Sequence, residues 1–142
     1  MKEEREYGEY EDAAFDGSGS FVEEDGKPYN IRHQAFMFAR DLINWIKTIR
    51  YEKPSSSLFE QLVRSGSSVG ANLVEGKSGA SGKDWAKFQV IALKSANETK
   101  YWLCLIRDTQ PVDLQQVNQL ITEADAISKI IASTLLRYRG NQ

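Results

Sequence analysis

Residues 85–106 read WAKFQVIALKSANETKYWLCLI. Trp85, Phe88, Ala92, Ser95, Thr99, Trp102 and Ile106 recur at alternating steps of three and four, the spacing that lines side chains along one face of an α-helix. A second set, Val90, Leu93, Tyr101 and Cys104 with Asn97 among them, falls on the opposite side, where a surface helix is normally charged. A helix that is apolar on two sides has to bury both. The spacing therefore predicts one stripe in a core and the other, through Val90, Leu93, Tyr101 and Cys104, against a second copy of the chain. The alternative is a helix sunk in the centre of its own bundle.

The same period extends on both sides of this segment. Upstream, Ile31, Ala35, Phe38, Ala39, Leu42, Trp45, Ile46 and Ile49 predict a helix that Pro54 ends. Ser55, Ser56 and Ser57 offer N-caps for the next helix, in which Leu58, Leu62, Ser65, Gly66, Val69 and Leu73 share a face. Gly66 and Gly70 lie four apart inside it, a cost of up to about 1 kcal/mol each against alanine that close helix packing can offset. The Gly/Ser-rich residues 76–82 read as a loop. Downstream, Pro111 breaks the chain and Asp113 with Gln116 forms a capping pair. Leu114, Val117, Leu120, Ile121, Ala124, Ile127, Ile131, Leu135 and Tyr138 mark the last helix, which Gly140 stops. There is no alternating strand pattern and no internal repeat. The expected fold is all-α, an antiparallel up-down-up-down four-helix bundle over residues 31–142.

Composition sets the outer limits. The chain has 142 residues, 41% hydrophobic and 27% charged, enough for one core. Its formal charge of -2 hides a division. Residues 1–30 hold three basic and ten acidic residues together with the run Gly17-Ser18-Gly19-Ser20, and are expected to be a disordered acidic arm. Residues 31–142 hold 15 basic and 10 acidic residues. No apolar run is long enough to span a membrane. The opening MKEEREYGEYED has no apolar core of a signal peptide. A lone cysteine fits a reducing compartment, so a cytoplasmic location is expected.

The basic residues are themselves patterned. Arg32, Phe36, Arg40, Ile43, Lys47 and Arg50 fall on one side of the first helix, and Lys83, Lys87 and Lys94 form a row on the third. Cations interleaved with apolar groups can contact phosphate and stack on bases, or line an oligomer surface; a merely solvated basic face is the plain alternative.

Catalytic chemistry is not found. Residues 70–78, GANLVEGKS, imitate a P-loop but place five residues between the glycines instead of four, and follow a helical stretch instead of a strand. His33 is the only histidine and has no cysteine beside it, so no zinc ligand set is expected. Cys104 sits mid-helix on a mainly apolar stripe and reads as a small packed residue, not as a nucleophile. No metal, cofactor or small-molecule substrate is expected. What stands out is a set of polar residues near packed faces: Arg64, Asn72, Glu75, Ser95 and Glu98. A partly buried Glu98 needs a cation, and Arg64 is the expected partner.

These residues also carry a resemblance. Residues 62–76, LVRSGSSVGANLVEG, resemble the signature of the four-helix-bundle proteins encoded in 23S rRNA intervening sequences. Lys83-Asp84-Trp85 through Phe88, Ala92, Ser95 and Glu98-Thr99 is similar to that family's second block. The match departs at Gly70, where many members carry proline. The superfamily includes the accessory variability determinant of diversity-generating retroelements. The resemblance implies a ring-like homopentamer, and for the retroelement member a basic surface that binds nucleic acid and a reverse transcriptase. The expected function is thus a non-enzymatic, homo-oligomeric interaction protein with structured RNA or an RNA–protein complex as partner. The alternative is a protein–protein adaptor that binds no nucleic acid.

Overall fold

The computed structural model describes residues 31–79 and 81–141; the acidic segment 1–30, expected to be an arm, lies outside the described residues. The described chain forms α1 (Ile31–Lys47), a 3-10 turn (Lys53–Ser55), α2 (Ser56–Lys77), α3 (Gly82–Thr109) and α4 (Leu114–Gly140), with no strand among the described residues.

Local chemistry sets the boundaries. α1 stops at Lys47, well ahead of the expected terminator Pro54. Here the Thr48 hydroxyl donates to the Trp45 carbonyl at 2.6 Å. The N–H groups of Thr48 and Ile49 donate to the carbonyls of Trp45 and Ile46 in tightened three-residue turns. Ser55 stands at the N-cap of α2 but makes no side-chain capping bond. The loop expected over 76–82 is shorter, because α2 runs on to Lys77 and Ser81 caps α3. The Ser81 hydroxyl accepts from the backbone N–H of Asp84 at 3.2 Å. Asp113 caps α4 as expected, accepting from the N–H of Gln116 at 3.0 Å.

Each helix packs on the next, and α4 returns to α1. The contacts run antiparallel at every seam. Leu42 lies over Gly66 and Ala35 over Gly70 between α1 and α2. Ser65 meets Thr99, and Ser68 meets Ser95, between α2 and α3. Lys100 meets Asp125, and Arg107 meets Asn118, between α3 and α4. Between α4 and α1, Trp45 shares a groove with Leu120 and Phe38 shares one with Ile127. The core runs along the axis through Leu42, Phe59, Leu62, Leu73, Leu103, Ile106, Val117, Ile127 and Ile131, each at most 1% exposed. Burying one such side chain contributes about 1.5–3 kcal/mol.

The buried stripe of α3 differs in phase from the expected one. Gln89, Ala92, Ser95, Ala96, Thr99, Leu103 and Ile106 are buried, while Trp85, Phe88 and Trp102 are half-buried at its edges. Small residues at the centre let α2 approach closely. At this seam a Cβ on Gly76 would lie 3.0 Å from Phe88 Cβ, and at the α1–α2 seam one on Gly66 would press on Leu42 Cδ2. The large rings are displaced to the seams, where Trp85 packs on Tyr138 with centroids 5.2 Å apart. Leu114, expected in the core stripe of α4, is 60% exposed because it stands in the first turn, beyond the end of the core.

Candidate functional site

The family-like polar residues gather along the α2–α3 seam. The Ser68 and Ser95 hydroxyls are 2.9 Å apart. The Asn72 amide donates to both the carbonyl and the hydroxyl of Ser68, at 2.8 and 2.9 Å. One turn on, Thr99 and Ser65 meet at 3.1 Å, and the Thr99 hydroxyl also lies 2.7 Å from the Ser95 carbonyl. At the solvent edge Arg64 pairs with Glu98. Gln61 accepts from Arg64 Nε at 3.0 Å, and Trp102 Nε1 donates to Glu98 at 2.8 Å. The pairing expected of Arg64 and Glu98 is present, but it is not buried: the side chains are 57% and 37% exposed. Glu75 is exposed near the end of α2. The seam has its hydroxyls and amides engaged with one another, which is how a packed polar strip fixes the register of two helices.

The basic residues divide between two places. Arg32 and Arg40 are half-buried on α1, and Arg40 holds Asp41 at 3.2 Å. Lys47 closes α1, and Arg50 lies past the helix end, so it does not continue the α1 row. Lys83, Lys87 and Lys94 are exposed on α3, and no carboxylate among the described residues pairs with them. Lys87 Nζ sits 6.0 Å from the ring centre of Phe88. Since α1 packs chiefly on α2 and α4, the two basic sets lie on different helices that are not main packing partners.

The structure places the lysine row and the second apolar stripe of α3 side by side on one face. At about 100° per residue, Lys83, Lys87 and Lys94 span an arc of about 40°, and Val90, Asn97, Tyr101 and Cys104 span an adjoining arc of about 60°. The apolar arc is thinner than expected, because Val90 and Leu93 are half-buried against the core and Cys104 is also half-buried. Tyr101 is 60% exposed, with the edge of its ring system against Trp102 at 5.1 Å.

Further features lie on other parts of the bundle. His33 is 6% exposed, and burial, aided by the charge of Arg40, pushes its imidazole down to about 4. Between α1 and α4 a groove of about 400 Å³ is lined by Asp41, Trp45, Thr48, Gln119 and Glu123 among others. Burial pushes the Glu123 carboxyl up; a hydrogen bond from Gln119 opposes this and the charge of Asp41 adds to it. At the end of the bundle the α1–α2 and α3–α4 links form a half-open pocket of about 460 Å³ lined by Arg50, Tyr51, Glu52, Ser55, Thr109, Gln110 and Pro111. These links are far apart in sequence, so no local spacing announces the cavity. Among the described residues no group of three or more His, Cys, Asp or Glu side chains could hold a metal ion. No helix of the described residues is long and apolar enough to cross a membrane.

Known proteins set this geometry in context. No curated protein matches the chain. A crystal structure of a protein of unknown function from the S23 ribosomal protein family of Bacteroides thetaiotaomicron is similar, at 31% identity and a TM-score of 0.69. The likeness covers 75% of this chain and 98% of that one. The family described as 23S rRNA-intervening sequence protein matches residues 27–133, which takes in α1, α2, α3 and most of α4. That span contains the polar α2–α3 seam and both sequence blocks that carry the resemblance. The chain belongs to the 23S rRNA-intervening sequence protein family.

Proposed function

We propose that this protein is a non-enzymatic interaction module that self-associates and binds structured RNA, alone or within an RNA–protein complex, through its basic helix faces. One observation carries the reading. Lys83, Lys87 and Lys94 share the solvent face of α3 with the exposed Tyr101, and no carboxylate among the described residues forms an ion pair with them. A lysine row without ion-pair partners beside an aromatic ring suits a phosphate backbone, whose condensed counterions it would release. The half-buried Val90, Leu93 and Cys104 beside Tyr101 suit a contact with a second copy. The pentamer is the assembly that the family resemblance favours.

Anisotropy titrations of a labelled RNA hairpin across salt concentrations test the RNA reading. Lys83→Gln, Lys87→Gln and Lys94→Gln together should weaken binding and flatten the slope of log affinity against log salt by about 2 to 3. Wild-type protein that binds no RNA, or a triple variant with an unchanged slope, would overturn it. The first of those outcomes favours an adaptor for an acidic protein partner.

A further inference from the structure

The cavity at the end of the bundle combines groups that recognise one kind of ligand. Tyr51 is 39% exposed and stacks on Phe59, with ring centres 4.1 Å apart and planes inclined by 15°. Phe59 is 1% exposed and does not line the cavity. The stack therefore has one buried end, Phe59, and one end, Tyr51, that lines the pocket and is 39% exposed. Arg50 and Glu52 flank Tyr51 in sequence and line the same cavity. Ser55 and Thr109 add hydroxyls and Gln110 an amide, whose Nε2 lies 3.3 Å from the Thr109 hydroxyl. A volume of about 460 Å³ exceeds what a single planar ring system needs.

We propose that this cavity holds one unpaired nucleotide, its base stacked on Tyr51 and its phosphate against Arg50. Aromatic stacking accepts any base, while a guanidinium selects an anionic substituent. A single cation accompanied by the Glu52 carboxylate fits the single charge of a phosphodiester better than a di- or triphosphate. Glu52 can also accept from an exocyclic amino group, so adenine and cytosine should be preferred over uracil. The site lies on loops at one end of the bundle, apart from the lysine row of α3. It deepens the RNA reading above and rests on it for the choice of probe.

The test is a fluorescence titration of the full chain against a short single-stranded oligoribonucleotide with 2-aminopurine at one position, and in parallel against adenosine monophosphate. Stacking on Tyr51 should quench the 2-aminopurine. Tyr51→Ala should abolish the quench and weaken binding by about 5- to 150-fold, while Tyr51→Phe retains both. Arg50→Gln, which leaves the Tyr51–Phe59 stack untouched, should weaken binding and lower the salt slope by about 1. Saturable binding of the monophosphate with the same Tyr51 dependence would also support the site, and would identify a free nucleotide as its ligand. No binding of either probe, binding without quench, or a Tyr51→Ala protein equal to wild type would overturn the proposal. The α3 triple lysine variant separates the two readings. Quenching that survives in that variant with unchanged affinity keeps the cavity and removes the helix face from RNA binding.

Discussion

At the scale of single residues, two glycines on one helix have opposite roles. Gly66 stands where a Cβ would press to 2.4 Å of Leu42 Cδ2, and Leu42 is fully buried with little room to turn away. Gly66→Ala should destabilise by about 1–3 kcal/mol, the usual cost of overpacking, in spite of the better helix propensity. Gly70 is different: a Cβ there would make ordinary contacts at 3.5–3.7 Å with Ala35 and Phe36. Gly70→Ala should stabilise by about 0.5–1 kcal/mol, because it restricts the unfolded chain and keeps the packing. Urea denaturation of the two variants checks the opposite signs, and two destabilised proteins would refute the distinction. His33 supplies a pH test. Its imidazole falls from 6.5 to about 4 on folding, chiefly through burial. The unfolded chain therefore binds the extra proton first, and the stability contributed by neutral His33 is complete above pH 6.5 and drains away as pH falls toward 4. Each tenfold difference in proton affinity between the folded and unfolded chain is worth at most about 1.4 kcal/mol of that loss. Thermal melts from pH 7 to 4 should fall more steeply for wild type than for His33→Gln, and parallel curves would contradict the assignment.

At the scale of elements, the α2–α3 seam is held by contacts of unequal weight. The Arg64–Glu98 pair is half-exposed, so water screens it and a double-mutant cycle should give a coupling of about 0–1 kcal/mol. Glu98 also receives the Trp102 indole N–H at 2.8 Å. Glu98→Ala should therefore cost more than Arg64→Ala, because it strands a half-buried donor as well. Equal single effects, or a coupling above about 2 kcal/mol, would show that the pair carries more of the seam than its exposure suggests. The same seam shows how far a sequence can be read. Helix number and the Asp113 cap follow from spacing alone, whereas the Arg64–Glu98 pairing is expected from a buried carboxylate's need for a cation and forms instead at the solvent edge. The phase of α3 does not follow from spacing: Ala92, Ser95, Thr99 and Ile106 belong to the expected and the buried stripe alike, but the large rings of Trp85, Phe88 and Trp102 draw the expected stripe toward the seams and away from Gln89, Ala96 and Leu103. The end of α1 does not follow either, since Thr48 closes it by a local side-chain bond that no proline marks. The Ser81 cap is legible, for Ser81 stands three residues before Asp84. The Tyr51 cavity is not, because only the folded bundle brings residues 50–55 beside residues 109–111.

At the scale of the whole molecule, the open questions are what covers α3 and what the charge division does. Tyr101 is the most exposed member of the apolar arc, and Leu93 is tied into the core, so Tyr101→Glu tests self-association without disturbing the subunit fold. Light scattering should give a multiple of 16.1 kDa for wild type and a smaller mass for Tyr101→Glu. A wild-type mass near one chain would refute self-association. The charge division gives a second test on the same surfaces. Residues 1–30 carry ten acidic and three basic residues, and they join the bundle at Ile31, where the first basic helix begins. A tethered segment has an effective concentration beside its own domain on the order of millimolar. If the bundle binds a polyanion through Arg32, Arg40, Lys47, Arg50, Lys83, Lys87 and Lys94, a tethered net charge of seven negatives should compete with it. Such competition is electrostatic and must fade with salt, since the Debye length falls from about 30 Å at 0.01 M to about 3 Å at 1 M. A chain starting at Ile31 should therefore bind single-stranded RNA more tightly than the full chain at low salt, and the gap should close as salt rises. Anisotropy measured with both chains across salt decides the matter. Equal affinities at low salt would mean that the segment does not compete, and a gap that persists at high salt would mean that it acts by something other than charge.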